Sequence, residues 1–197
     1  MFAGFNIKID KLFFDKCNKS YDDYKDIGKR HLDDLKTDYE DDLKSYIVDN
    51  IVDGTKVQND WFSQINADIF ISHSHIDEEL AQALAGWIYD TFGLGCFIDS
   101  NVWGYAEELL EDLNTKYSNK RKNPEGGFLY DHESSNKVSQ HVNVMLLVAL
   151  QKMIDKTETT FLLNTDNSIE IANEDNIDLT YSPWIYSEII CTQIVRN

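Results

Sequence analysis

Trp184 and Glu188 form the pair in this chain whose types and spacing best suit chemistry on a small molecule. A separation of four residues puts both side chains on one face of an α-helix, with an aromatic wall beside a carboxylate. Ser182 and Pro183 precede them as a natural N-cap and first helical residue. Glu188 is therefore not the capping acid, because a capping box would place that acid at position 185, which is Ile185. A solvated surface carboxylate is the plain alternative for Glu188.

A second polar group is Ser72, His73, Ser74 and His75, which follows directly on the apolar Ile69, Phe70 and Ile71. Two histidines around a serine suggest a metal, but no further ligands follow at helical or Cys-x-x-Cys spacing, so no metal is expected. A Ser74–His75 nucleophile and base would lack an orienting acid. Loop packing or substrate contact remains. Asp99 ends a short apolar run (Cys96, Phe97, Ile98), where it either lies near a ligand or binds backbone amides of the next loop. Trp103, Gly104 and Tyr105 occupy that loop, and Trp103 reads equally well as core.

The elements that must position these residues are strands emptying at one edge. The stretch Ala67–Asp77 reads as a buried parallel strand running into a loop, and in open α/β sheets ligands bind at that carboxyl edge. Asp77–Phe92 is an amphipathic helix with Leu80, Leu84, Trp87 and Ile88 on one face. Ser74 and Asp77 have capping-box spacing, and Gly93 and Gly95 are stop signals. The pattern continues with a strand at Cys96–Asp99, a helix at Ala106–Tyr117 and a polar insertion at Ser118–Gln140. A helix at Val142–Lys156, a strand at Thr159–Leu163, a polar stretch at Asn164–Thr180 and a helix reaching Asn197 complete it.

Upstream, Met1–Phe14 reads as a loose lead-in with a short strand around Phe5–Ile9. Lys16–Asn50 carries a tyrosine-rich helical stripe, divided at Gly28, that packs on the neighbouring domain or a partner. Asp53-Gly54 is a turn signal, and Trp61-Phe62 an anchor for the lead. The expected division is an N-terminal helical extension at 1–60 and an α/β domain at 61–197.

Charge excludes some classes of partner. With 18 basic against 35 acidic residues the chain carries a formal −17, which repels phosphate backbones and anionic bilayers. Neither nucleic acid nor membrane is an expected partner, and no apolar run approaches the length of a span. The start, MFAGFNIKIDKLFF, lacks the pattern of a signal peptide. Three widely separated cysteines, Cys17, Cys96 and Cys191, suit free thiols in a cytoplasmic setting.

Three segments in order resemble a Toll/interleukin-1 receptor (TIR) domain of the stand-alone bacterial type. They are DIFISHSHID at Asp68–Asp77, LGCFIDSNVWG at Leu94–Gly104, and SPWIYSEI at Ser182–Ile189, preceded by TTFLL at Thr159–Leu163. The resemblance covers Ala67–Asn197 and implies an α/β fold, a three-layer flavodoxin-like parallel sheet with flanking helices. Such domains have five strands, whereas this sequence closes after the third strand–helix unit. Either the chain is truncated, or the Lys16–Asn50 helices cover the edge left open beside Thr159–Leu163. The Ser118–Gln140 insertion is a second departure.

The resemblance also implies an activity. Domains of this kind cleave NAD⁺ at the nicotinamide–ribose bond with one glutamate, here Glu188, and NAD⁺ is substrate, not cofactor. One acid suffices because the leaving pyridinium is already cationic and needs no proton, unlike an alkoxide leaving an ordinary sugar. Ser72, His73, Ser74, Asp99, Trp103, Gly104, Tyr105 and Trp184 are the implied substrate-binding residues. The products would be nicotinamide and linear or cyclic ADP-ribose, in defence or stress signalling. Self-association is implied as well, the Val102–Tyr105 loop of one subunit reaching a neighbour's Glu188. The alternatives are a non-catalytic TIR interaction module, and an N-ribosyl transferase or hydrolase acting on another nucleoside.

Overall fold

The computed structural model describes residues 3–35, 47–48, 51–52, 54–62, 64–102, 121–122, 128–129, 132–172, 177–180 and 182–195. The chain forms two units. One comprises Met1–Lys36, Ile65–Val102 and Leu150–Asn197, the other Thr37–Gln64 and Trp103–Ala149.

The first unit is an α/β three-layer arrangement built on a parallel sheet. Its strands are β1 (Ala3–Ile7), β4 (Ile69–Ser72), β5 (Cys96–Phe97) and β8 (Thr159–Leu163), in the spatial order β1-β8-β4-β5. The first unit also holds the α-helices α1 (Tyr21–Leu35), α3 (Glu78–Phe92), α4 (Asp99–Val102) and α6 (Pro183–Ile194), and an antiparallel hairpin of β9 (Glu170–Ala172) and β10 (Ile177–Leu179). The second unit contains α2 (Gly54–Trp61), the hairpins β2 (Ile47–Val48) with β3 (Ile51–Val52) and β6 (Arg121–Lys122) with β7 (Phe128–Leu129), and most of α5 (His132–Lys156). Helix α5 starts ten residues before the expected Val142, inside the expected insertion.

The strand order reverses beside β4. From β4 the chain steps outward to β5, then returns past β4 to β8. Right-handed crossovers in opposite directions put the connecting helices, α3 and the last turns of α5, on opposite faces. Register sets which side chains share a face. Gly4 and Asn6 of β1, Thr160 and Leu162 of β8, and Phe70 and Ser72 of β4 lie in line across the sheet. Phe70 meets Phe97 of β5 on the same face, ring centroids 5.3 Å apart. On the other face Phe5 meets Phe161 edge-on at 5.9 Å.

The edge beside β8 is covered by β1, which corrects one of the two expected alternatives, that the Lys16–Asn50 helices cover it. All five residues of β1 register with β8, from Ala3 opposite Thr159 to Ile7 opposite Leu163. The strand starts two residues before the expected Phe5–Ile9. The period-two run Phe5, Ile7, Ile9 was its signal in the sequence.

Helix α1 packs along α3, one of the two placements expected for the tyrosine-rich stripe. Gly28 does not divide it but sits mid-helix, where the two backbones meet. A Cβ at Gly28 would lie 2.0 Å from the Gln82 carbonyl oxygen, and one at Gly86 1.9 Å from that of Tyr24. Around this contact Phe14, Tyr24 and Ala83 are buried, with Phe13, Leu80 and Trp87 packed against them. The Phe13 and Trp87 rings meet edge-on at 5.1 Å. Ile47, expected on the same helical stripe, lies instead in β2, because its β-branched neighbours Val48, Ile51 and Val52 pair as a hairpin. Tyr39 and Leu43 of that stripe, and the expected helix Ala106–Tyr117, lie outside the described residues.

Gly93 closes α3 at φ 69°, as its position predicts. The capping box at its start does not form. Ser74 makes no capping bond, and the Asp77 carboxylate instead accepts from Thr165 Oγ1 and, at 2.9 Å, from Asn167 Nδ2. Asp77 thus ties the start of α3 to the loop after β8. Among the described residues no helix is long and apolar enough to cross a membrane.

Candidate active site at the carboxyl edge of the sheet

Helix α6 begins as its residues dictate. Ser182 Oγ accepts from Ile185 N at 3.3 Å, and Pro183 occupies the first turn, where its missing N–H costs no hydrogen bond. That start sets which residues face inward, and Ile185, Glu188 and Cys191 are the buried ones. The spacing of three brings a carboxyl group into an otherwise apolar stripe.

Glu188 is 3% exposed. It meets Ser72, the last residue of β4 and itself buried, whose hydroxyl donates to Glu188 Oε2. A carboxyl group so placed resists ionisation. Burial pushes its pKa well above the ordinary 4.5, the Asp99 charge pushes the same way, and the Ser72 bond opposes both.

Asp99 begins α4, with only Ile98 between it and the end of β5, on the same edge of the sheet. His73, one residue beyond β4, is buried beside Asp99 and Ser100. Its Nε2 lies 3.1 Å from Ser100 Oγ, while its Nδ1 lies 3.9 Å from Asp99 Oδ1. The second distance is too long for a hydrogen bond, and Nδ1 has no partner among the described residues.

Glu188 and Ser72 line a cavity of about 180 Å³ between the sheet and α6. The remaining walls are Gly4, Phe5 and Asn6 of β1, Thr160 and Leu162 of β8, and Ile189 and Thr192 of α6. Ser72 and Glu188 place one end of the cavity at the carboxyl edge, and Gly4 and Thr160 line it further down the sheet face. Open α/β sheets bind ligands outside the carboxyl ends of the strands, where strand order reverses, and here that place is between β4 and β8. Pockets for small ligands usually hold about 300–1,000 Å³, so this one takes a single ring or sugar rather than a dinucleotide.

Ser72, His73, Asp99 and Glu188 are thus brought together. Trp184, one turn before Glu188 on α6, is half-buried, as is Ser74 at the start of the turn leading into α3. Trp103, Gly104 and Tyr105 lie outside the described residues. Asn6, Thr160 and Thr192 were not expected from the sequence.

Among the described residues no group of three or more His, Cys, Asp or Glu is placed to hold a metal ion. Cys17, Cys96 and Cys191 are all free, and burial raises the pKa of the Cys96 and Cys191 thiols. Comparison of the chain with protein-family models, with curated proteins and with solved structures finds no match.

Proposed function

We propose that this chain is a cytoplasmic NAD⁺ glycohydrolase of the TIR type, with Glu188 as its catalytic carboxylate. The observation that carries the reading is one buried carboxyl group, held by Ser72, on a cavity where the strand order reverses. The nicotinamide–ribose end of the substrate enters that cavity, and the rest of the dinucleotide lies outside it.

The chemistry follows from charge. The bond between ribose C1′ and the pyridinium nitrogen breaks with both electrons going to nitrogen, so nicotinamide leaves neutral. Positive charge then develops on the ribose. The Glu188 carboxylate stabilises it most where water is scarce. Water adds to C1′ and loses a proton to solvent, or an adenine nitrogen of the same molecule adds and closes a ring.

The environment of Glu188 suits this task. In the empty site burial favours its neutral form, and a cationic ring favours the ionised one, so substrate entry releases a proton. Asp99, whose charge reaches Glu188, adds to the negative potential at this edge of the sheet. His73, through its contact with Ser100 and its nearness to Asp99, holds the floor of this edge in place.

Release of nicotinamide from NAD⁺ by the purified protein tests the reading, with Glu188→Ala alongside. Turnover reduced about 100-fold or more in the variant supports it. Absence of wild-type turnover, even at high protein concentration, overturns it and leaves the interaction module. Self-association through the Val102–Tyr105 loop belongs to the same reading and predicts a rate per subunit that rises with concentration.

A further inference from the structure

Thr160 is 3% exposed, its side chain lies on the cavity face of β8, and its Oγ1 has no hydrogen-bond partner among the described residues. Valine has the same shape and favours strands as strongly, yet buries no hydroxyl. A buried hydroxyl left unpaired is disfavoured, and native structures rarely keep one unless something completes it.

The neighbours of Thr160 indicate what could complete it. Leu162, two residues on, registers with Ser72, whose hydroxyl meets Glu188. Thr160 is therefore one pleat, roughly 6–7 Å, deeper along the strand than the carboxyl group. One substituted ring spans that distance. Across the sheet Thr160 registers with Gly4 of β1, where a Cβ would stand 3.8 Å from the Thr192 side chain. Glycine there keeps a larger side chain out of the cavity, and Asn6 presents an exposed amide one pleat further along.

We infer that Thr160 is a specificity-determining residue whose hydroxyl bonds a neutral polar group of the ligand, a carboxamide or a ring hydroxyl, at the base of the Glu188 cavity. The inference rests on the activity proposed above. It gives the amino-terminal strand a part in the site, since β1 forms the wall opposite α6 along this depth.

The test compares wild type, Thr160→Val and Thr160→Ser by thermal unfolding, by titration with nicotinamide and with ADP-ribose, and by NAD⁺ turnover. Without ligand, Thr160→Val is expected to unfold about 2–4 °C higher, because an unpaired hydroxyl is gone. It is expected to bind one of the two probes about tenfold more weakly and to raise the KM for NAD⁺ by a similar factor, while Thr160→Ser restores both. Loss with nicotinamide assigns the carboxamide, and loss with ADP-ribose assigns a ribose hydroxyl.

A Thr160→Val protein with wild-type KM and wild-type affinity for both probes overturns the inference and leaves the hydrolase standing. A wild-type protein without NAD⁺ turnover overturns the hydrolase, and the probe titrations then decide Thr160 alone. Binding of neither probe by wild type overturns the inference as well.

Discussion

Ser72 and Glu188 stand 116 residues apart in the chain, and a single hydroxyl of the first holds the carboxyl group of the second. Because the bond favours the ionised form, it works against burial and against Asp99. Ser72→Ala is expected to raise the Glu188 pKa further. The low-pH limb of NAD⁺ turnover should then move to higher pH, with turnover at neutral pH down about tenfold or more. A pH–rate profile of the variant measures this, and an unmoved limb would show that Ser72 does not tune Glu188.

Asp99→Asn should act in the opposite direction. Removing a like charge lowers the Glu188 pKa, so the same limb moves to lower pH. The pair of profiles, one displaced up and one down, distinguishes charge tuning from general damage to the site.

The raised pKa of Glu188 also sets how stability varies with pH. Its folded-state pKa lies above the unfolded 4.5, so the native protein binds more protons between the two values. The contribution of Glu188 to stability is full below pH 4.5 and is lost as pH rises through the folded value. Glu188→Gln should therefore unfold at a higher denaturant concentration than wild type on the alkaline side. The gap should close toward acid, as equilibrium unfolding across that range would read.

Gly28→Ala and Gly86→Ala should each destabilise the α1–α3 pair. Alanine gains about 1 kcal/mol in helix propensity. A Cβ 2.0 or 1.9 Å from a backbone carbonyl oxygen forces the helices apart, which costs about 3 kcal/mol or more and wins. With a net loss of about 2 kcal/mol, thermal unfolding should fall by roughly 4–8 °C or more. An unchanged midpoint would mean the helices do not meet at these residues.

Removal of residues 1–8 should expose the β8 edge and open the Glu188 cavity together. Expected outcomes are loss of solubility, from an uncovered apolar edge strand, and loss of NAD⁺ turnover. A soluble, monomeric remainder at wild-type activity would contradict both roles of β1.

The parts of this molecule governed by local pattern were legible before its structure. Ile69–Ile71 and Thr159–Leu163 read as strands, Gly93 as a helix stop and Ser182-Pro183 as a helix start, because each depends on neighbours in sequence. Strand partnership was not legible. That β1 lies beside β8 depends on residues 156 apart, and its five residues bear only a weak alternation. Gly28 was misread for a related reason. A glycine that permits close approach and one that ends a helix look alike until the opposing Gly86 is known. Asp77 fitted a capping box by spacing, but Thr165 and Asn167, far along the chain, claim its carboxylate. At the site, the burial of Glu188 could not be read from Trp184-x-x-x-Glu188, because a helix face becomes interior only once a sheet lies under it.

The pairing of Ala3–Ile7 with Thr159–Leu163 also fixes a timetable for biosynthesis. The first strand leaves the ribosome long before its partner is made. At about 5–20 residues per second it waits roughly 10–30 s. Over that interval the nascent chain carries an unmatched ribbon with Phe5 on it, and the sheet stays one member short. Closure of the cavity around Glu188, which both strands line, therefore waits until Thr159–Leu163 has emerged.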